Sequence, residues 1–212
     1  ISGSDVNVTG GNISGSGTVS GINNITMNAS AGDLTAGAIT AGNITLGAGN
    51  TLSITGSVNA TSGDVKLAGG LISNSGNITA NNNIAASSAA VNNNGTMWAN
   101  NSVNITGNLN NAGNISANNV IVSNNLSNAG NITAKTVSGD LSVWVGNNVS
   151  NINSGNISGY NINVTAGNIS GNGTISGINN ITMNASAGDL TAGGIKAGNI
   201  TLGALNTLNV IG

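Results

Sequence analysis

Residues 11–56 read GNISGSGTVSGINNITMNASAGDLTAGAITAGNITLGAGNTLSITG, and the same text returns at residues 167–212 with eight positions changed. The changed pairs are Ser16 and Asn172, Val19 and Ile175, Ala38 and Gly194, Thr40 and Lys196, Gly49 and Leu205, Ser53 and Asn209, Ile54 and Val210, and Thr55 and Ile211. Residues 1–10 align with 157–166 under the same shift, more loosely. The 212 residues therefore hold one repeat of 156 and the first 56 residues of the next. A repeat overrides the domain count that length alone would give. The expectation is a single solenoid segment over 1–212, a window of a longer array.

A shorter unit lies inside the long one: an aliphatic residue, a spacer, and a second apolar residue. In chain order the pairs are Val6 with Val8, Ile25 with Met27, Ile44 with Leu46, Val65 with Leu67, Ile84 with Ala86 and Val103 with Ile105. They continue as Val120 with Val122, Leu141 with Val143, Ile162 with Val164, Ile181 with Met183 and Ile200 with Leu202. Their spacings are 19, 19, 21, 19, 19, 17, 21, 21, 19 and 19, and the first eight complete the long repeat. Alternation with period two marks each pair as a short strand with these side chains on its inner face. The residue before each pair is Asp5, Asn24, Asn43, Asp64, Asn83, Ser102, Asn119, Asp140, Asn161, Asn180 or Asn199. Asn and Gly tolerate tight corners, and stacked corners set amide beside amide, so these eleven residues are expected to form one ladder. A second motif, Gly, any residue, aliphatic or Met, any residue, then Ala or Gly, recurs between the pairs, as at Gly76 to Ala80 and Gly113 to Ala117. A third apolar position, which includes Leu52, Leu109 and Leu190, falls between the two.

Three short strands and three corners in roughly 19 residues make one coil of an all-β fold, a right-handed parallel β-helix (β-solenoid) of about 11 coils. A single coil cannot repay its ordering entropy, so stability belongs to the stack. Neither end of the sequence reads as a polar cap, which leads to the expectation of flanking coils of the same chain or of neighbouring subunits stacked end to end.

Composition excludes several alternatives. There are 34 Gly and 44 Asn but no Pro, Cys, His, Arg, Glu, Gln or Phe, and charged residues are 4%. Collagen needs Pro, a helix bundle would not tolerate this much Gly, and disorder goes with higher charge and less regular aliphatics. A net charge of −2 offers no footprint for nucleic acid, and no apolar run is long enough for a membrane helix.

With these repeats in view, the roughly 19-residue unit, the Gly-Asn-Ile-Ser/Thr runs at residues 76–79, 113–116 and 130–133, and the Asn/Gly corners resemble the shaft of filamentous haemagglutinin-like exoproteins. These are large exported proteins of Gram-negative bacteria that use two-partner secretion. The resemblance covers the whole chain and rests on repeat style. It implies a right-handed β-helix, an extracellular or bacterial cell-surface location, and a role in adhesion, biofilm or toxin delivery. The Asn-Pro-Asn motifs of that family's folding-start domain do not occur in these residues, which contain no Pro.

Catalysis is not expected. The carboxylates are Asp5, Asp33, Asp64, Asp140 and Asp189, three of them at corner positions, and there is no His or Arg to work with them. The calcium-binding Gly-Gly-x-Gly-x-Asp nonapeptide is missing, so neither metal nor cofactor is expected. Asn-x-Ser/Thr occurs 21 times. Alternation turns Asn77, Asn114, Asn131 and Asn156 outward, which makes them candidate glycosylation sites, as in some adhesins of the family it resembles. Trp98 and Trp144 follow inward residues and should face out, where they could stack on sugars or pack against a neighbouring rod. The expected function is a structural shaft, with surface glycans or proteins of host or bacteria as partners. A self-assembling extracellular filament is the alternative with the same fold. Ice binding is the alternative from another class, hinted at by the pairs Thr26 with Thr45 and Thr182 with Thr201 but interrupted at Lys66, Ala85, Asn104 and Ile121.

Overall fold

The computed structural model describes residues 1–135, 139–151 and 155–211; Gly212, with which the repeat ends, lies outside them. Every strand pair recorded is parallel, and each strand pairs with its counterpart one coil later, giving a right-handed parallel β-solenoid of about 11 turns. At the usual spacing of about 4.8 Å between strands, the rod is on the order of 50 Å long.

Each coil has three faces. Face 1 carries the aliphatic pairs, in strands such as Val6–Gly10, Asn24–Ala29 and Asn43–Ala48. Face 2 follows with Leu34–Ala36, Thr51–Ile54, Leu71–Asn74 and their successors. Face 3 is a separate sheet of 11 strands, among them Ser57–Ala60, Asn77–Ala80 and Thr96–Ala99. Faces 1 and 2 merge in mid-rod, where Asn83–Asn93 and Ser102–Asn111 run as continuous strands across both. A register irregularity between Ser87 and Ala90 makes the bend in these two coils, and Gly107, at φ 128°, lies at the bend. The left-handed φ there admits glycine and disfavours other residues.

Aliphatic side chains fill the tube from end to end. Ile25, Ile44, Leu52, Ile78, Val103 and Leu109 are each no more than 1% exposed. The second residue of each face-1 pair points the same way as the first, and Met27, Leu46, Leu67, Ile105 and Met183 are all buried. They stack directly on one another where coils are in register, Met27 on Leu46 and Leu46 on Leu67. Met27 and Leu67, like Ile105 and Met183, keep a trace of exposure, while Leu46 has none. Three expected core residues depart from this pattern. Val8 and Leu202 are half-buried and Ile200 is 45% exposed, because they face inward in the first and last coils of these 212 residues, each covered by a neighbouring coil on one side.

Register brings a correction on face 1. The sequence pairs Val120 and Val122 with Leu141 and Val143, but in the structure Val120 stands beside Val143 and Val122 beside Val145. The next step then aligns Leu141 with Ile162 and Val143 with Val164. Leu141–Val145 has three inward residues, Leu141, Val143 and Val145, all buried. It meets the strand below with the last two and the strand above with the first two. A two-residue slip keeps every side chain on its own face, whereas a one-residue slip would turn the core out. A new inner column thus starts at Leu141 and continues through Ile162, Ile181 and Ile200. Beside it, the column that holds Val143 runs on through Val164, Met183 and Leu202. On faces 2 and 3 the stacking follows the 156-residue repeat without a slip: Leu34 and Leu190 share one column, as do Val19 and Ile175.

The glycine that opens the face-3 motif has a steric reason in the middle of the rod. Gly56, Gly76, Gly95, Gly113 and Gly130 stack at one corner, and a Cβ on any of them would overlap backbone of the glycine corner one coil earlier. The carbonyl below is held there because it accepts from the next coil, as when Asn114 N–H donates to Gly95 O at 2.9 Å and Asn131 N–H to Gly113 O at 2.9 Å. Gly113→Ala is therefore expected to cost about 2–4 kcal/mol, since the coils must separate to admit the methyl group. Gly11→Ala is the control, because a Cβ there meets nothing within 4 Å. Urea-unfolding midpoints of the two variants check this, and equal midpoints would refute it.

Candidate functional site

Four groups of polar or aromatic side chains have geometry that could do more than fold the chain. The first is the corner ladder. Asn24 Nδ2 donates to Asp5 Oδ1 at 2.8 Å, Asn43 Nδ2 to Asn24 Oδ1 at 3.2 Å, and Asn83 Nδ2 to Asp64 Oδ1 at 3.1 Å. Between these, Asp64 N–H donates to Asn43 Oδ1, and Ser102 Oγ–H donates to Asn83 Oδ1 at 2.6 Å. Asn119 is in register with Ser102 below and with Ser142 above, so Asp140 does not continue that column. A second ladder begins at Asp140, where Asn161 Nδ2 donates to Asp140 Oδ1, Asn180 Nδ2 to Asn161 Oδ1 and Asn199 Nδ2 to Asn180 Oδ1. The eleven corners thus form two ladders, divided by the register slip.

Hydrogen bonds from the side chains of Asn24 and Asn23 hold the Asp5 carboxyl below its ordinary value of 3.8. A depressed folded value contributes stability that is present above the unfolded value and lost as the pH falls through the folded one. Asp5 is accordingly expected to titrate below 3.8, with Asn24→Ala raising its midpoint. Carboxyl carbon shifts followed by NMR across the acid range check this.

The second group is a buried ladder that the sequence reading missed. Asn74, Asn93, Asn111, Asn128 and Asn151 lie inside the corner between faces 2 and 3, none more than 3% exposed. Along the column each Nδ2 donates to the Oδ1 of the next, at 2.7, 2.7, 2.8 and 2.8 Å. Each of the five also donates to a backbone carbonyl one coil on, those of Thr96, Asn114, Asn131, Asn156 and Thr174 in turn. The signal was available: in four of the five, Asn stands two residues before a corner glycine, as in Asn93-Asn94-Gly95 and Asn111-Ala112-Gly113.

The third group is on face 3, where Asn77, Asn114, Asn131 and Asn156 share one outward column, separated only by Thr96. The first three are exposed and Asn156 is half-buried. The hydroxyl residue of each Asn-x-Ser/Thr lies in the neighbouring outward column, at Thr79, Ser116, Thr133 and Ser158. Asn131 Nδ2 donates to Asn114 Oδ1 at 2.8 Å, so those two amides are already paired.

The fourth group contains the tryptophans. Trp98 is half-buried on face 3, between Thr79 and Ser116. Trp144 is 50% exposed on face 1, beside Ile121, itself 40% exposed, on one side and Thr165 on the other. The same outward row contains Thr26, Thr45, Lys66, Ala85 and Asn104, whereas Thr182 and Thr201 belong to a different row. No continuous threonine face results. Among the described residues no three His, Cys, Asp or Glu come close enough to hold a metal ion. Among the same residues no helix is long and apolar enough to cross a membrane.

No family model, curated protein or solved structure matches the chain. The fold itself defines the class: a repeat-built parallel β-solenoid of the structural, fibre-type kind, consistent with adhesin and shaft proteins generally.

Proposed function

We propose that the chain forms part of the shaft of a large bacterial surface or secreted fibre, which acts by reach and display in adhesion, biofilm or matrix assembly. The observation that carries this reading is the continuous stack. About eleven coils pair in parallel around one apolar core, and two external amide ladders and one internal ladder run along the axis. Such a stack extends by adding coils without changing the cross-section, and a rigid spacer needs that property. The repeat style shared with filamentous haemagglutinin-like shafts supports an extracellular or cell-surface location and export through a two-partner route.

Immunogold electron microscopy of the producing cells, with rod lengths recorded on the native material, tests the proposal. The expected result is label on the cell surface or in the medium, on rods of one fixed length. Label confined to the cell interior would overturn it. Filaments that lengthen with protein concentration would replace the single long chain with subunits stacked end to end.

A further inference from the structure

The register slip does more than divide a ladder. Relative to Asn119–Val122 just below it, the coil in which the inner column starts at Leu141 gains an outward column, so that three run side by side here, as three also do at Asn24, Thr26 and Asn28. The edge column is Asp140, Asn161 and Asn180, the middle one Ser142, Asn163 and Thr182, and the inner one Trp144, Thr165 and Asn184. The edge and middle columns line an open groove of about 320 Å³. Trp144 borders that groove, two residues beyond Ser142 on the same face of the same strand. Neighbouring columns stand about 7 Å apart along the strand and successive coils about 4.8 Å apart, so the surface matches a few linked hexose rings in size.

From this geometry we infer that the widened part of face 1 is a binding site for a neutral, hydroxyl-rich carbohydrate chain. The chemistry suits that class. Asn163 offers a donor and an acceptor, Asn161 and Asn180 each keep a second Nδ2 hydrogen beyond the ladder, Ser142 and Thr182 offer hydroxyls, and Asp140 offers a carboxylate that accepts from vicinal hydroxyls. Asp140 and Asn163 are exposed, and Asp140 Oδ1 already accepts from Asn161, which fixes the orientation of the carboxylate. The half-exposed Trp144 supplies the flat apolar surface on which the C–H face of a pyranose ring stacks. No lysine lines the groove, so nothing there favours a sulfated or uronic chain over a neutral one. Trp98 neighbours a different groove, of about 420 Å³, lined by Ser116, Thr133, Ser158 and Ser176 together with Lys135 and without a carboxylate. It is less exposed and sits in face 3 between Thr79 and Ser116, away from this groove.

The inference narrows the display reading to one site, and its test requires no fibre. The full 212-residue chain is run by affinity electrophoresis through gels containing neutral polysaccharides: a glucan, a mannan, a galactan and a xylan. Tryptophan fluorescence is titrated in parallel with the matching oligosaccharides on the Trp98→Phe background, where Trp144 is the sole reporter. Retardation in at least one gel is expected. Trp144→Ala should weaken it at least tenfold, Asn163→Ala severalfold, and Trp98→Phe should leave it unchanged. Circular dichroism of each variant separates lost binding from lost folding, and Trp144→Tyr, which keeps an aromatic surface, should retain most of the binding. Absence of retardation and of any fluorescence change across the panel would overturn the inference, as would retardation that Trp144→Ala does not weaken. A sedimentation shift from dimer to monomer in Trp144→Ala, without any sugar effect, would instead make this face a contact between two copies of the rod. Loss of sugar binding would leave the shaft reading intact, and an intracellular location would leave the groove intact.

Discussion

Val103→Asp opens the middle of the rod. Val103 is fully buried in Ser102–Asn111, one of the two strands that span faces 1 and 2, between Ile84 and Val120. Its neighbour on the inner face of the same strand is the buried Ile105. A carboxyl at that position has no polar partner on its face and loses the apolar contacts of the valine. The expected cost is about 4–6 kcal/mol, above the usual range for a single substitution. Because each coil touches only its neighbours, damage should be confined to coils near the substitution. Limited proteolysis should cut between about residues 84 and 122, while the coils at either end stay resistant. The variant should be more stable in mild acid than in mild alkali, because a buried carboxyl escapes part of its penalty by holding its proton. Unchanged protease resistance would mean that the side chain at 103 reaches solvent and that the inner face is misassigned.

Asn111→Leu is the second large effect, and here context decides the sign. Asn111 accepts from Asn93 and donates to Asn128, to Gly113 O and to Asn131 O. Leucine is close in size, so the change removes hydrogen bonds more than it removes volume. It leaves Asn128 Oδ1 and two carbonyls without that donor in a corner closed to water. The expected loss is about 2–5 kcal/mol, read from the urea midpoint. Replacing all five ladder asparagines by isoleucine should recover most of it, because no side-chain amide is then stranded and carbonyls such as Gly113 O keep their backbone donors. The column already ends in apolar residues: Ile54 stands in register below Asn74, and Ala36 below Ile54. An undiminished single variant, or a whole-column variant worse than the single one, would show that the ladder acts otherwise than by satisfying its own members.

A good deal of this was readable from residue order. The period-two pairs gave the inner face of face 1, so Ile25 and Met27, Ile44 and Leu46, Val65 and Leu67 are all buried where alternation puts them. The 17- and 21-residue spacings flagged an irregular region, but not how it resolves. Two alignments of Leu141–Val145 with Val120 and Val122 leave the same faces in and out, and alternation cannot distinguish them. The glycine of the face-3 motif was visible as a pattern, while its cause, a carbonyl directly beneath the missing Cβ of Gly76, Gly95, Gly113 and Gly130, needed two stacked coils. Trp144 pointed outward by alternation, but what lies around it depended on the slip.

The sequence by itself determined the period, the number of coils, the aliphatic pairs that turn inward on face 1 and the polar corners, because strand alternation and turn chemistry are local properties written in consecutive residues. Only the tertiary structure decided which residue lies above which. That choice split the corner ladder at Asp140, buried five asparagines in a satisfied column, and widened face 1 beside Trp144. The physical reason is that register is set between coils some 17 to 25 residues apart in the chain, by which side chains and carbonyls fit together across the gap.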